Sequence, residues 1–266
     1  TKVMPWKNSD IKEGDVILMI DDYPINNNTD IAHAIKNKES SILKLRRNTE
    51  IIYTQITVVK AKSGNYSIGL YVKDKILGVG TLTFIIPSNN QYAALGHGVT
   101  NANNEGELFT STIKSIRKAT PGSPGEKNAS LNSDEIGTIV KNTKFGIYGK
   151  LHNNHNGQEI EIKDASSVKK GKAQILTVVN GNQKEYFDVE IVEVKSQSSA
   201  NVKGIKIRII DKRLLELTGG IIQGMSGSPI IQDGYLVGAL SHVVISSPSL
   251  GYGVFAEWMY NEAKVL

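Results

Sequence analysis

The stretch Gly219-Gly-Ile-Ile-Gln-Gly-Met-Ser-Gly-Ser-Pro-Ile-Ile-Gln-Asp-Gly234 places a serine between glycines, just before a proline and a short apolar run. Glycine adopts backbone conformations that other residues avoid, so Gly224 and Gly227 predict a tight turn that presents Ser226. Backbone N–H groups at such a turn can face a reacting carbonyl group. The pattern indicates a candidate nucleophile, although a plain glycine-rich turn between two strands would read the same way.

The composition is typical of a globular protein and shows no feature of a nucleic-acid-binding protein. The length of 266 residues favours two domains over one. The hydrophobic fraction of 39% and the charged fraction of 21% are typical of a globular protein. Its net charge of +5 comes from scattered residues, so no nucleic-acid partner is expected. The absence of cysteine excludes disulfides, thiolate metal sites and cysteine nucleophiles.

The first quarter of the sequence predicts a small α+β module. A helix is expected over Asp30–Lys36, with an N-cap at Asn28-Thr29, because Ile31, Ala34 and Ile35 share one helical face. The predicted strands are Val16–Ile20, Ser41–Arg46 and Glu50–Val59, and the polar segment from Ala61 is the best linker candidate.

The rest of the chain predicts many short strands, which is typical of an antiparallel sandwich or barrel. A terminal helix is expected from Ala256, and the Gly122–Lys127 segment predicts a turn, because it lacks the spacing of a phosphate loop. The later predicted strands are Leu108–Ile116, Ile136–Val140, Phe145–Leu151, Ala173–Val179, Tyr186–Val194, Gly204–Ile210 and Tyr235–Val244.

A serine nucleophile needs a base beside it, and the chain has five histidines. We expect the base to be His97, which ends an apolar strand between small residues. His242 follows the strand after the serine turn and either borders the substrate pocket or is an ordinary strand-end residue. His33 is expected on a helix surface. His152 and His155 lack a third ligand, so neither a metal nor another cofactor is expected.

A third group should hold the tautomer of His97, and Asp211 is the candidate, with Asp164 and Asp188 as rivals. Asp211 also reads as the N-cap of a short helix that begins at Lys212 and stops before Gly219, a role that needs no catalysis.

Three segments of the N-terminal module resemble a bacterial PDZ domain: Ile11-Lys-Glu-Gly-Asp-Val-Ile, Ile20-Asp-Asp-Tyr-Pro-Ile and Leu45-Arg-Arg-Asn. That family binds an extended peptide between a strand and a helix. Its first strand and carboxylate-binding loop have no counterpart here, so we expect residues 1–66 to form a PDZ-like domain with an incomplete groove.

Motifs along most of the chain resemble the SpoIVB peptidases of endospore-forming bacteria. They are Ile68-Gly-Leu-Tyr-Val-Lys-Asp, Gly80-Thr-Leu-Thr-Phe, Ala94-Leu-Gly-His-Gly, Pro124-Gly-Glu-Lys, Thr218 to Ile231 and Gly251-Tyr-Gly-Val. The resemblance implies a mainly β chain in which residues 67–266 form a trypsin-like serine peptidase domain of two β-barrels. It places the catalytic His, Ser and Asp of the family on His97, Ser226 and Asp211.

The same resemblance implies export to the forespore intermembrane space, self-cleavage, and cleavage of the membrane-anchored regulator SpoIVFA, which triggers processing of a late sigma factor. An upstream anchor or signal is expected to be absent from this chain, and self-cleavage or release from the anchor is expected to generate Thr1.

Comparison with trypsin-like enzymes aligns their Gly-Asp-Ser-Gly-Gly-Pro turn with Gly224–Pro229 and implies an oxyanion hole made by the N–H groups of Gly224 and Ser226. Met225 replaces the aspartate that receives the new N-terminus of trypsin-like zymogens, so activation by that ion pair is not expected.

Two alternatives to a serine peptidase are a catalytically idle, PDZ-containing binding module and an esterase with the same nucleophile.

Overall fold

The computed structural model describes residues 4–61, 64–72, 78–100, 105–154, 157–197 and 199–266. They form two compact units, Thr1–Leu77 and Gly78–Leu266. The division lies later than the expected boundary after residue 66, because Ile68 is buried in the core of the first unit and Leu70 and Val72 pack against that core.

The first unit is a small antiparallel sheet with one helix against it. Its four-stranded sheet has the order β2-β1-β3-β4, and two further short strands, β5 and β6, pair with each other. The elements are a 3₁₀ turn at Pro5–Asn8, β1 Val16–Ile20, β2 Tyr23–Pro24, α1 Asn28–Ala34, β3 Ser40–Arg47, β4 Glu50–Thr57, β5 Val59–Lys60 and β6 Tyr66–Ser67.

Helix α1 begins at Asn28, two residues before the predicted start at Asp30. Asn27, not Asn28, is the N-cap: its side chain accepts a hydrogen bond from the N–H of Asp30, and the carboxylate of Asp30 accepts one from the N–H of Asn27. This reciprocal capping satisfies two N–H groups that have no partner within the helix. The helix then packs Ile31 and Ile35 into the core of the unit.

The assignment of this unit as PDZ-like stays a prediction.

The second unit combines an open sheet with a closed barrel. The five-stranded sheet has the order β7-β8-β11-β10-β9, and the six-stranded barrel closes as β12-β13-β14-β17-β16-β15. The elements are β7 Leu82–Ile86, β8 Gln91–Ala94, β9 Gly106–Arg117, β10 Glu126–Thr143, β11 Gly146–Leu151, a 3₁₀ turn at Ala165–Ser167, β12 Gly171–Asn180, β13 Gln183–Val194, β14 Ile205–Ile209, α2 Lys212–Thr218, β15 Pro229–Gln232, β16 Tyr235–Val243, β17 Leu250–Phe255 and α3 Ala256–Ala263.

The predicted mainly β class is confirmed, with one closed barrel and one half-barrel. Alternating residues of β12 and β13, among them Ile175, Phe187 and Val189, point into the barrel and are fully buried. The Gly122–Lys127 segment is only partly the expected turn, because Glu126 and Lys127 already belong to β10. Within the ranges described above, no helix is long and apolar enough to cross a membrane.

An ion pair between Asp15 and Arg47 ties the start of β1 to the end of β3. Nε and Nη2 of Arg47 each donate a hydrogen bond of 2.8 Å to one carboxylate oxygen of Asp15, whose side chain is 2% exposed. These hydrogen bonds hold the pKa of Asp15 below its ordinary value of 3.8. Because the folded-state pKa is lowered, the pair stabilises the fold above pH 3.8 and the stabilisation is lost as the pH falls through the lowered value.

We predict that Asp15→Asn destabilises the first unit by about 2 kcal/mol at pH 6, since a charge-assisted pair in a buried position is lost. Amide hydrogen exchange in β1 and β3 measures the change. Asp22→Asn is the matched control, because Asp22 is exposed. The difference between Asp15→Asn and the wild type should shrink as the pH falls below the pKa of Asp15. A difference of the same size at all pH values would contradict the assignment.

Candidate active site

The serine turn lies between helix α2 and strand β15, and its backbone requires glycine. Gly224 and Gly227 have φ angles of +92° and +89°, in the left-handed region that other residues rarely adopt. A side chain at Gly227 would collide with the carbonyl oxygen of Thr81 and would come within 2.6 Å of the backbone nitrogen of Leu95. The turn is therefore pressed against the chain that leads to His97, with the half-buried Ser226 between the two glycines.

Thr81 and Thr83, at the start of β7, hold the carbonyl groups of this turn. The N–H of Thr81 donates to the carbonyl of Ser226 at 2.8 Å, and its hydroxyl donates to that of Gly224 at 3.2 Å. The hydroxyl of Thr83, a residue 8% exposed, donates to the carbonyl of Gly227 at 2.8 Å. These three hydrogen bonds fix the peptide groups that follow Gly224, Ser226 and Gly227.

The N–H groups of Gly224 and Ser226 are left without an acceptor among the residues that the structure describes. Each N–H shares a peptide group with the preceding carbonyl: that of Gln223 accepts from the N–H of Lys127 at 3.0 Å, and that of Met225 accepts from the N–H of Ser228 at 2.9 Å. These bonds orient the two N–H groups without consuming them in the fold. Two fixed donors at a nucleophile are what an oxyanion hole requires.

Met225 is fully buried in the barrel core, where trypsin-like enzymes place an aspartate. Its N–H donates to the carbonyl of Ile222 at 3.1 Å, and its own carbonyl accepts from the N–H of Ser228 at 2.9 Å. Apolar packing and backbone hydrogen bonds therefore anchor this position of the turn.

His97 leaves β8 through two residues in the left-handed region, Leu95 and Gly96, with φ angles of 69° and 67°. A side chain at Gly96 would lie 3.2 Å from the carbonyl oxygen of Leu240. The Nδ1 atom of His97 is 2.8 Å from the carbonyl oxygen of Gly98. A carbonyl only accepts hydrogen bonds, so Nδ1 carries the proton and Nε2 keeps a lone pair. This is the tautomer that a general base for serine needs.

His242 lies beside His97, with ring centroids 5.4 Å apart. Its Nδ1 is 3.0 Å from the hydroxyl oxygen of Ser241, which itself donates to the carbonyl of Tyr252. Burial lowers the pKa of His242, and the positive charges of His97 and Lys203 lower it further. The second imidazole therefore favours the neutral form next to a charged His97.

Ser226 joins the same cluster through Ser241. Its hydroxyl donates to the carbonyl of Ser241 at 3.4 Å, which is long for an O–H···O hydrogen bond. Ser226, His97 and His242 are therefore neighbours through Ser241 and the ring contact, and the catalytic roles assigned to them stay predictions.

Asp211 is used elsewhere in the fold. As the sequence also allowed, it is the N-cap of α2: its Oδ1 accepts from the N–H of Leu214 at 2.9 Å, and its Oδ2 accepts from the N–H of Asp188 at 3.4 Å. The side chain of Asp188 accepts from Gln174, and Asp164 precedes a 3₁₀ turn. Across the described ranges none of the three bonds to His97, so the orienting role of Asp211 stays a prediction.

The other histidines lie away from this cluster. His33 is in α1 of the first unit, and His152 pairs with Glu135 at 3.0 Å. His155 lies outside the described residues. In the described part of the chain, no group of three or more His, Asp or Glu side chains is arranged to hold a metal ion.

The sequence prediction missed Thr81 and Thr83, although their spacing carried a signal. Residues two apart on a strand share a face, so the two hydroxyls of Gly80-Thr-Leu-Thr-Phe were bound to point the same way. What the spacing did not give was their target, which lies more than 140 positions later in the chain.

A family model described as SpoIVB peptidase S55 matches residues 64–260, which is more than half of the chain. Among solved structures, the chain is similar to the inactive form of the Rv3671c protease, with 14% identity, a TM-score of 0.43, and coverage of 70% of this chain and 83% of that one. The active form of the same protease, from M. tuberculosis, matches with 13% identity, a TM-score of 0.35, and coverage of 58% and 79%. No curated protein matches the chain.

We predict that Thr83→Val, which keeps the shape of the side chain, destabilises the second unit by about 1–2 kcal/mol, because the buried carbonyl of Gly227 loses its donor. The labelling rate of Ser226 by a fluorophosphonate should fall as well, since the turn is less firmly held. Urea unfolding and labelling kinetics measure the two effects. Thr57→Val, an exposed strand position in the first unit, is the control. Unchanged stability and labelling in Thr83→Val would show that the hydroxyl does not hold the turn.

Proposed function

Because the chain belongs to the SpoIVB peptidase S55 family, it is a serine peptidase that acts on a protein substrate, and we propose that Ser226 is its nucleophile and His97 its general base. The observation that carries this proposal is the turn itself: Ser226 lies beside the chain that presents His97, and among the described residues the N–H groups of Gly224 and Ser226 have no acceptor.

In the first step the hydroxyl of Ser226 turns from the carbonyl of Ser241 to Nε2 of His97. The bond to Ser241 is long, so leaving it costs little. His97 takes the proton as Oγ attacks the peptide carbonyl, and the imidazolium that forms keeps its Nδ1–H bonded to the carbonyl of Gly98.

The negative charge on the carbonyl oxygen is then held by the N–H groups of Gly224 and Ser226. His97 returns its proton to the amine of the leaving peptide, and the acyl-enzyme is hydrolysed by a water molecule that His97 activates in the same way. His242, neutral and half-buried beside His97, borders the substrate and adds no competing charge. Asp211 can orient His97 only if a rearrangement releases its carboxylate from the N–H of Leu214.

We predict that Ser226→Ala abolishes both peptide hydrolysis and fluorophosphonate labelling, because no other group can form the acyl-enzyme. Ser228→Ala is the matched control, since Ser228 lies in the same turn but is fully buried, and its hydroxyl has no hydrogen-bond partner in the part of the chain that the structure describes. Ser228→Ala should be labelled at close to the wild-type rate. Equal labelling of Ser226→Ala and wild type would remove Ser226 as the nucleophile.

For the biological substrate, we propose the membrane-anchored sporulation regulator SpoIVFA and the chain's own precursor, cleaved in the forespore intermembrane space to trigger processing of a late sigma factor. The support is the family match, together with the sequence motifs that resemble that peptidase. The proposal requires that the enzyme accept an extended segment of SpoIVFA across the Ser226 turn.

Incubation of the purified chain with the extracytoplasmic segment of SpoIVFA tests the substrate. We expect discrete cleavage by wild type and none by Ser226→Ala, read by mass spectrometry of the products. A full-length precursor carrying Ser226→Ala should likewise stay uncleaved. If SpoIVFA remains intact while an unrelated peptide is hydrolysed, the peptidase assignment stands and the substrate proposal fails.

A further inference from the structure

Lys127, near the start of β10, is a buried cation that the mechanism above does not use. It is 6% exposed, and its Nζ donates to the hydroxyl of Thr177 on β12 at 2.9 Å. Thr177 is itself buried. Lysine is rarely buried without an anionic partner, because removing the ammonium from water is costly.

The charged groups near Lys127 have partners of their own. Glu126, next to it on β10, pairs with Arg117 at 3.2 Å. Glu185, opposite Thr177 on β13, pairs with Arg213. In the described residues no carboxylate bonds to Nζ, and burial lowers the pKa of Lys127 to about 8. The side chain is therefore mostly charged at neutral pH, in a place where the charge is not neutralised.

The side chain of Lys127 lies directly against the oxyanion glycine. A Cβ atom built on Gly224 would be 3.0 Å from Cδ of Lys127, 3.2 Å from Cβ and 3.3 Å from Cγ. The backbone reinforces the contact, since the N–H of Lys127 donates to the carbonyl of Gln223 at 3.0 Å and the N–H of Gln223 donates to that of Gly125 at 2.9 Å. The ammonium group is two bonds beyond Cδ and is held by the hydroxyl of Thr177, so the charge lies near Gly224, on the side of β12.

We propose that Lys127 is a positioning residue of the peptidase, whose ammonium supplies a fixed positive charge behind the oxyanion-binding N–H groups of Gly224 and Ser226. The inference rests on the proposed function, because it requires those N–H groups to bind the oxyanion. A charge in a buried site acts through a low dielectric and needs no reorganisation when the oxyanion forms. Its aliphatic chain supports Gly224 at the same time, next to the position where Met225 removes the aspartate of trypsin-like enzymes.

The charge and the packing can be separated by two substitutions. Lys127→Met keeps a long unbranched chain against Gly224 and removes only the charge, whereas Lys127→Ala removes both. We expect kcat for peptide hydrolysis to fall about tenfold or more in Lys127→Met, with KM within about threefold of wild type, because the charge acts when the oxyanion develops. The melting temperature should not fall, since an unpaired buried charge is replaced by an apolar group.

Lys172→Met is the control, because Lys172 is an exposed lysine of β12, the strand that carries Thr177. Wild-type kcat in Lys127→Met overturns the proposal, and if Lys127→Ala is then inactive, only the packing of the side chain matters. If a fluorophosphonate labels wild type and does not label Ser226→Ala, the proposed function stands whatever the lysine variants do. Failure of wild type to be labelled would count against the proposed function instead.

A measurement on the unaltered enzyme covers the case in which Lys127→Met does not fold. Since the protonated lysine is the supporting form, kcat should fall as the pH rises through about 8, where Lys127 loses its proton. The descending limb should be absent from any folded variant without this ammonium. A wild-type kcat that stays level from about pH 7.5 to pH 9.5 would contradict the proposal.

Discussion

The hydrogen bonds from Thr81 and Thr83 to the Gly224–Gly227 turn are the constraint on which the candidate site depends. They connect the start of the five-stranded sheet to the turn that leads into barrel strand β15. They hold the carbonyls of Gly224, Ser226 and Gly227. The peptide groups that carry the N–H groups of Gly224 and Ser226 are held in turn by the N–H groups of Lys127 and Ser228. Without an aspartate at Met225, orientation of this turn relies on hydroxyl donors and core packing instead of a buried ion pair.

Histidine chemistry at the site is set by neutral partners. The carbonyl of Gly98 fixes the tautomer of His97, and the hydroxyl of Ser241 fixes that of His242. A carbonyl orients an imidazole as well as a carboxylate does, but it stabilises the imidazolium less because it carries only a partial charge. The carboxylate of Asp211, the N-cap of α2, is bonded to the N–H of Leu214 and does not supply this charge to His97 in the described structure.

Local sequence patterns were sufficient to predict single strands, helices and their end residues. The predicted strand Val16–Ile20 has the observed bounds, and helix α2 begins after Asp211 and stops at Gly219, whose φ is +70°. Ser226 and His97 stood out because glycines lie close on both sides of each. The site that they share stays a prediction about distant residues, although Gly227 lies against the backbone of Leu95, two residues before His97.

Contacts across the chain account for what was missed. Strand β10 runs over 18 residues, although only Ile136–Val140 was predicted, because its polar first half pairs with β9 and has no apolar alternation to mark it. Lys127 read as part of a turn, because nothing within its own segment shows that Thr177 and Gly224 enclose it. Long-range pairing and burial decide such positions, and neither leaves a periodic pattern in the sequence.

The most direct test of the account is the structure of the enzyme with a peptide boronate, which forms a tetrahedral anion on a serine nucleophile. We predict a covalent bond from Oγ of Ser226 to boron, with one boronate oxygen about 2.7–3.1 Å from the backbone nitrogens of both Gly224 and Ser226 and with Nε2 of His97 facing the adduct. A boronate bonded to another residue, or one whose oxygens avoid both nitrogens, would contradict it.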